Sequence, residues 1–352
     1  MTKLINIEAS HPPQVAARPG AARRVLNGAT VVLPWAIIGG LLWAGLFIKP
    51  QPVGGSVTPP ALERRDQFYG LAQIPGGAVL AAGSYGKILS IDSDGQVRRL
   101  PTPTDKTLQD IAAWDARRAI AVGNDGVVLR SEDGGQHWSA VAKVPRSEVA
   151  NKLNRVRLGK DGLAIATGEM GALLISQDYG KNWQRLRDEE DVAWNDVALL
   201  EGDRLVVVGE FGRILLSDDL GQQWEEIPAP VPGSLMSVSF RDASNGVAVG
   251  VEGTLLVTSD GGRQWTQAPA ISNDHLFNVL WNAERNQWLA FGALGRWVSA
   301  TPTADGIAWH TGTVDPRDLG WHTGALADAS QVWLAGDGIG RWDGQHWSSL
   351  KP

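Results

Sequence analysis

From about residue 66 onward the chain alternates short apolar runs with turns rich in glycine and acids, and it does so on a regular beat. Within residues 108–141 the runs "LQDIAAW", "RAIAVG", "GVVLRS" and "HWSAV" succeed one another, each about as long as a β-strand and each bounded by turn residues. The "ND" of "GNDG" predicts a tight hairpin between the second and third runs, with the flanking glycines supplying backbone freedom. A longer hairpin, "SEDGGQHW", separates the third run from the fourth.

The beat is an internal repeat. Its leading glycines are Gly83, Gly123, Gly168, Gly209, Gly250, Gly292 and Gly336, at intervals of 40 to 45 residues. Four strands per period at this spacing predict blades of a β-propeller. The expected fold is therefore all-β, a seven-bladed propeller over residues 66–350. With no strand pattern ahead of it, closure is expected from packing of the first blade on the last rather than from a blade shared between the chain ends.

The third-to-fourth hairpin reads Ser or Thr, x, Asp, x, Gly, x, x, Trp. Four copies are complete: Ser131, Asp133, Gly135 and Trp138; Ser176, Asp178, Gly180 and Trp183; Ser217, Asp219, Gly221 and Trp224; Thr258, Asp260, Gly262 and Trp265. A carboxylate here can accept backbone N–H groups, the hydroxyl adds a local acceptor, and the glycine can take a positive φ. The indole offers a large apolar face for wedging between neighbouring blades. These sixteen residues are expected to be structural. Blade one lacks the tryptophan, blade six carries an insertion and blade seven is shortened.

This pattern resembles the Asp-box, or BNR repeat, and seven copies with a preceding Gly-x-x-Gly resemble the photosystem II assembly and stability factor family. The resemblance implies a propeller on the lumenal or periplasmic side of a membrane, without known catalysis, that helps to assemble a membrane complex. For relatives in non-photosynthetic bacteria it implies partnership with transporters of the resistance-nodulation-division type. Photosynthetic bacterial members typically begin as lipoproteins, whereas this chain has no cysteine.

Ahead of the propeller, residues 29–48, "ATVVLPWAIIGGLLWAGLFI", form an uncharged run of 20 residues, the length of one transmembrane helix. Arg23 and Arg24 precede it, so the positive-inside rule leaves the N-terminus cytoplasmic. The expected organisation is a disordered tail over 1–28, a retained anchor over 29–48, a Pro and Gly linker over 49–65 and a propeller over 66–350. The expected location is a bacterial inner membrane, single-pass, with the propeller in the periplasm. Residues 1–49 carry a net charge of +4 and the remainder −10.

Chemistry is sparse. The absence of cysteine removes thiolate metal sites and cysteine nucleophiles, and the six histidines show no metal-ligand spacing. No cofactor, metal or catalytic residue is expected, and an acidic propeller is a poor nucleic-acid binder. The enzymatic alternative is an Asp-box hydrolase of sialidase type, whose resemblance would require an arginine triad and a tyrosine nucleophile paired with an acid. Tyr69, Tyr85 and Tyr179 are the chain's three tyrosines, and none has an evident acidic partner.

Surface recognition remains. Alternating strand direction puts the second-to-third hairpins and the interblade loops on one face and the Asp-boxes on the other. The hairpin tips carry Asp125, Glu169, Glu210, Glu252 and Asp337. Beside them stand Tyr85, Lys87, Phe211, Arg213, Arg296 and Arg341, the expected contacts for a membrane protein partner.

Overall fold

Seven sheets of four antiparallel strands follow one another in the computed structural model, which describes residues 21–47, 60–328 and 331–350, with side chains from residue 32. Each sheet is built from four strands consecutive in the chain, as the repeat predicts. Blade two, for example, comprises Leu108–Ala113, Ala119–Gly123, Val128–Ser131 and Ser139–Ala140. The first strands of successive blades pack on one another and line a central channel.

Apolar side chains fill the spaces between sheets. Trp138 of blade two lies in one buried cluster with Leu80 and Ala82 of blade one, and Trp183 of blade three lies with Ile120 and Val122 of blade two. Trp224 and Trp265 reach back in the same way, to blades three and four. Each Asp-box indole thus wedges against the preceding blade.

The hairpin that carries the indole is held by its own side chains. Ser131 Oγ donates to Asp133 Oδ1 at 2.9 Å and accepts the Gly135 N–H at 2.8 Å, while Asp133 Oδ1 accepts the His137 N–H at 2.9 Å. The same circuit recurs at Ser176 and Asp178, at Ser217 and Asp219, and at Thr258 and Asp260. Gly135 has φ +87°, and a Cβ there would come within 2.8 Å of Leu80 Cδ1. Glycine is therefore needed both for the backbone conformation and for the approach of the neighbouring blade. Blade six departs from this plan: its third and fourth strands, Arg296–Thr303 and Gly306–Thr313, form one long hairpin with no Asp-box turn.

The ring closes by packing. Phe68, Leu89 and Ile91 of blade one share a buried cluster with Trp333, Ala335 and Ile339 of blade seven. Among the described residues no strand precedes Phe68. Part of the expected linker belongs to the propeller, because Leu62 joins this closing cluster and Glu63 pairs with the buried Lys87. The rest of the linker, residues 49–59, and residues 1–20 of the expected tail lie outside the described residues.

Residues Ala21–Phe47 form a helix with Pro34 inside it. No helix among the described residues is long and apolar enough to cross a membrane, so the structure does not carry the transmembrane expectation for residues 29–48.

Candidate docking face

The two faces differ in what joins them. Second-to-third hairpins bond to interblade loops: the Gly126 N–H donates to Asn151 O at 2.5 Å, Gly171 to Val192 O at 2.7 Å and Gly295 to Gly320 O at 3.0 Å. Asp-box hairpins bond to first-to-second hairpins on the opposite face, as from the Gly134 N–H to Arg117 O at 2.8 Å.

In blades one to six the second-to-third hairpin is a one-turn reversal of two left-handed residues, whereas the shorter tip of blade seven closes from the Gly336 N–H to Gly338 O at 2.9 Å. The first of the two left-handed residues is not glycine: Tyr85, Asp125, Met170, Phe211, Glu252 and Leu294 have φ between 53° and 57°, and a left-handed glycine follows each. The leading glycines do not supply conformational freedom. Gly123 is extended, at φ −171°, and is required because a Cβ would stand 2.2 Å from Thr107 O. A bulky side chain with positive φ is an uncommon, strained arrangement.

Tip acids fall into two sets. Glu169 accepts the Lys152 N–H at 3.3 Å and Glu210 the Ala193 N–H at 2.8 Å, while Asp337 accepts from Gln67 Nε2 at 3.1 Å. These three tie the hairpin to the start of a first strand. Asp125 and Glu252 occupy the outward, left-handed position instead.

The structure separates the six expected contacts. Tyr85 and Phe211 are 68% and 70% exposed at their tips. Arg213 grips Glu226 through Nε at 2.7 Å and Nη2 at 3.0 Å, and it also pairs with Glu190. Arg296 donates from Nε to Asp274 at 2.7 Å. Both guanidiniums are therefore already held by carboxylates of the propeller itself.

The remaining two lie elsewhere. Lys87 is 3% exposed and paired with Glu63 and Asp66, so it holds the N-terminal segment rather than facing a partner. Arg341 pairs in register with Trp333, the place that Arg130 takes opposite Ile120 in blade two. The shortened tip of blade seven displaces the sequence alignment, so Arg341 belongs to the Asp-box half of its strand. There its guanidinium stacks 4.6 Å from the Trp333 ring.

All five large apolar side chains that are exposed on the described propeller lie on the hairpin-tip face. Tyr85, Phe211 and Leu294 are tip residues, and Val149 and Leu319 sit in the loops to blades three and seven. The two loop residues lie outside the repeated strands and hairpins, so the repeat gives no signal for them.

The mouth of the central channel opens on the same face. Tyr69, Gln109, Asn154, Asn195, Met236, Phe277 and Thr323, each the second residue of its innermost strand, surround a cavity of about 240 Å³. Beneath them Arg155 crosses the channel from blade three, donating through Nη2 to Thr323 O at 2.7 Å and Phe277 O at 3.2 Å. Deeper still, Arg157 Nη2 lies 2.9 Å from Asp196 Oδ2, which also accepts from Ser237 Oγ at 2.6 Å. Burial pushes the Asp110 carboxyl above its usual range, against the opposing pull of Arg155 and Arg157. The sequence signal for this group is a polar residue inside the apolar first strands of blades two to six, at 110, 155, 196, 237 and 278.

Among curated protein sequences none matches this chain. In solved structures the same fold recurs: a protein described as YCF48 bound to D1 peptide superposes with a TM-score of 0.62 at 16% identity, over 77% of this chain and 91% of that one. YCF48 from Cyanidioschyzon merolae gives 0.63 at 14%, over 79% and 95%. PorZ, an essential bacterial surface component of the type-IX secretion system of Porphyromonas gingivalis, gives 0.61 at 14%, over 82% of this chain and 38% of that one. The family described as photosynthesis system II assembly factor YCF48 matches residues 91–227 and 216–303. With more than half of its length matched and the repeat geometry in place, the chain belongs to the photosynthesis system II assembly factor YCF48 family of β-propellers.

Proposed function

We propose that this protein is a non-enzymatic docking factor that binds a polypeptide of a membrane protein complex through its hairpin-tip face. The observation that carries the reading is the confinement of every exposed large apolar side chain of the described propeller to that face. Water disfavours such residues and the left-handed backbone disfavours Tyr85, Phe211 and Leu294 a second time. Retaining them against both costs fits a surface that becomes covered. The family and the peptide-bound YCF48 relative agree with a polypeptide partner.

A membrane tether through residues 29–48 belongs to the same proposal, with the propeller on the periplasmic side. Trp35, Leu42, Trp43 and Phe47 of the helix are all more than half exposed, and apolar side chains in that state call for a lipid or protein cover.

The test is site-specific photocrosslinking in intact membranes. A crosslinker at position 85 or 211 should capture a polypeptide, and one at Gln222 in an Asp-box should not. Capture from position 222 alone would overturn the assignment of the face. Replacing Phe211 by Asn, which tolerates a left-handed backbone, should leave the melting temperature unchanged or raised while weakening capture.

A further inference from the structure

The cavity at the channel mouth is a built polar site, and the docking proposal makes no use of it. Arg155 closes its floor. The side chain is 7% exposed, and only its Nη2 is engaged, on two carbonyls; Nε and Nη1 have no hydrogen-bond partner among the described residues. Across the channel that bar converts a through-hole into a blind funnel.

The rim has the opposite sign. Glu169 and Glu210, from adjacent blades, each commit one carboxylate oxygen, Oε2, to a backbone N–H, at 3.3 Å and 2.8 Å. Their Oε1 atoms have no partner among the described residues. Lys152 and Arg155 balance the two carboxylates, so the lining has no net charge. A simple anion or cation would meet one attractive pole and one repulsive pole. A molecule carrying both charges satisfies both.

The walls are divided as well. Amides of Asn154 and Asn195 line one side, each bonded to the next blade's backbone, at 3.3 Å to Trp194 O and 2.8 Å to Leu235 O. Phe277 and Met236 supply apolar surface. A volume of about 240 Å³ falls below the roughly 300–1,000 Å³ of sites for drug-sized ligands.

We infer that this funnel binds a free zwitterionic amino acid with an apolar side chain, its carboxylate on Arg155, its ammonium between Glu169 and Glu210 and its side chain on Phe277. Binding here is independent of the docking reading, because it needs no partner protein.

Isothermal titration of the full chain tests it, with L-leucine and L-phenylalanine as probes beside N-acetyl-L-leucine and L-leucinamide, which each lack one charge. The free amino acids should bind, and both blocked forms should bind about tenfold or more weakly, as expected when a charge-assisted hydrogen bond is lost. Glu210→Gln retains an acceptor for the Ala193 N–H and so keeps the fold. It should weaken L-leucine about tenfold and leave N-acetyl-L-leucine unaffected. Failure of both free amino acids to bind at millimolar concentration would overturn the assignment. So would parental affinity for L-leucine in Glu210→Gln, or binding of one blocked form as tight as that of the free amino acid, which would point instead to a polypeptide terminus.

Discussion

Lys87→Met isolates the cost of a buried charge. In the parent the ammonium is enclosed between Asp66, whose side chain is 2% exposed, and Glu63, at 46%. Asp66 also accepts the Glu63 N–H through Oδ2 at 2.8 Å, so its carboxylate is fixed in place. Methionine matches much of lysine's volume but leaves this carboxylate buried without a counterion. Breaking a buried pair by removing one member costs about 3–5 kcal/mol, whereas the same change on an open surface would stay within about 0.5 kcal/mol. For a domain of this size each kcal/mol moves the melting temperature by roughly 2–4 °C, so calorimetry should show a fall of about 6–20 °C. Adding Asp66→Asn removes the orphaned charge and should recover most of the loss, a coupling that a double-mutant cycle measures. A single variant that loses less than about 1 kcal/mol, or a double variant no more stable than the single, would refute the reasoning. Crosslinking from position 211 in the double variant should match the parent, because Lys87 does not face the partner.

Ser217→Ala removes the hydroxyl that bridges Asp219 and the Gly221 N–H, and denaturant titration should show a loss of about 1–3 kcal/mol. Gly135→Ala combines a left-handed backbone with a contact at 2.8 Å to Leu80, and should cost about 2 kcal/mol or more by the same measurement. Burial opposes ionisation of Asp133, but the His137 backbone and ring and the Ser131 hydroxyl outweigh it and hold its carboxyl down to about 2, from 3.8 in the open chain. Because the folded value is the lower, its stabilisation is complete above about pH 4 and is lost as pH falls towards 2. Melting temperature followed from pH 5 to pH 2 should therefore drop, and Asp133→Asn should drop less steeply over that window.

The blades were legible because one turn repeats. Ser131, Asp133, Gly135 and Trp138 act within eight residues of one another, so their spacing alone carries the geometry. Lys87 shows where that reasoning stops: it shares its place in the repeat with Arg213, and only the return of Glu63 and Asp66 over blade one makes it a buried cation. Arg341 was displaced by two missing residues at a tip, a register that strand pairing fixes and composition does not. The channel group was hidden for a third reason. Arg155 reaches carbonyls 122 and 168 residues away, and a repeat describes what each blade shares rather than what different blades place opposite one another.

Closure without a shared blade has a consequence for how the protein is made. Every sheet needs only four neighbouring strands, so each can pair as soon as its stretch of some forty residues has left the ribosome, and each new Asp-box indole then finds its predecessor already present. One junction cannot wait its turn in this way. Phe68 and Leu89 must remain uncovered until Trp333 and Ile339 are synthesised, through nearly the whole period of elongation. The same seam is where force applied to the two ends would first part the ring. A chaperone acting on the nascent chain would find its longest-lived apolar surface there.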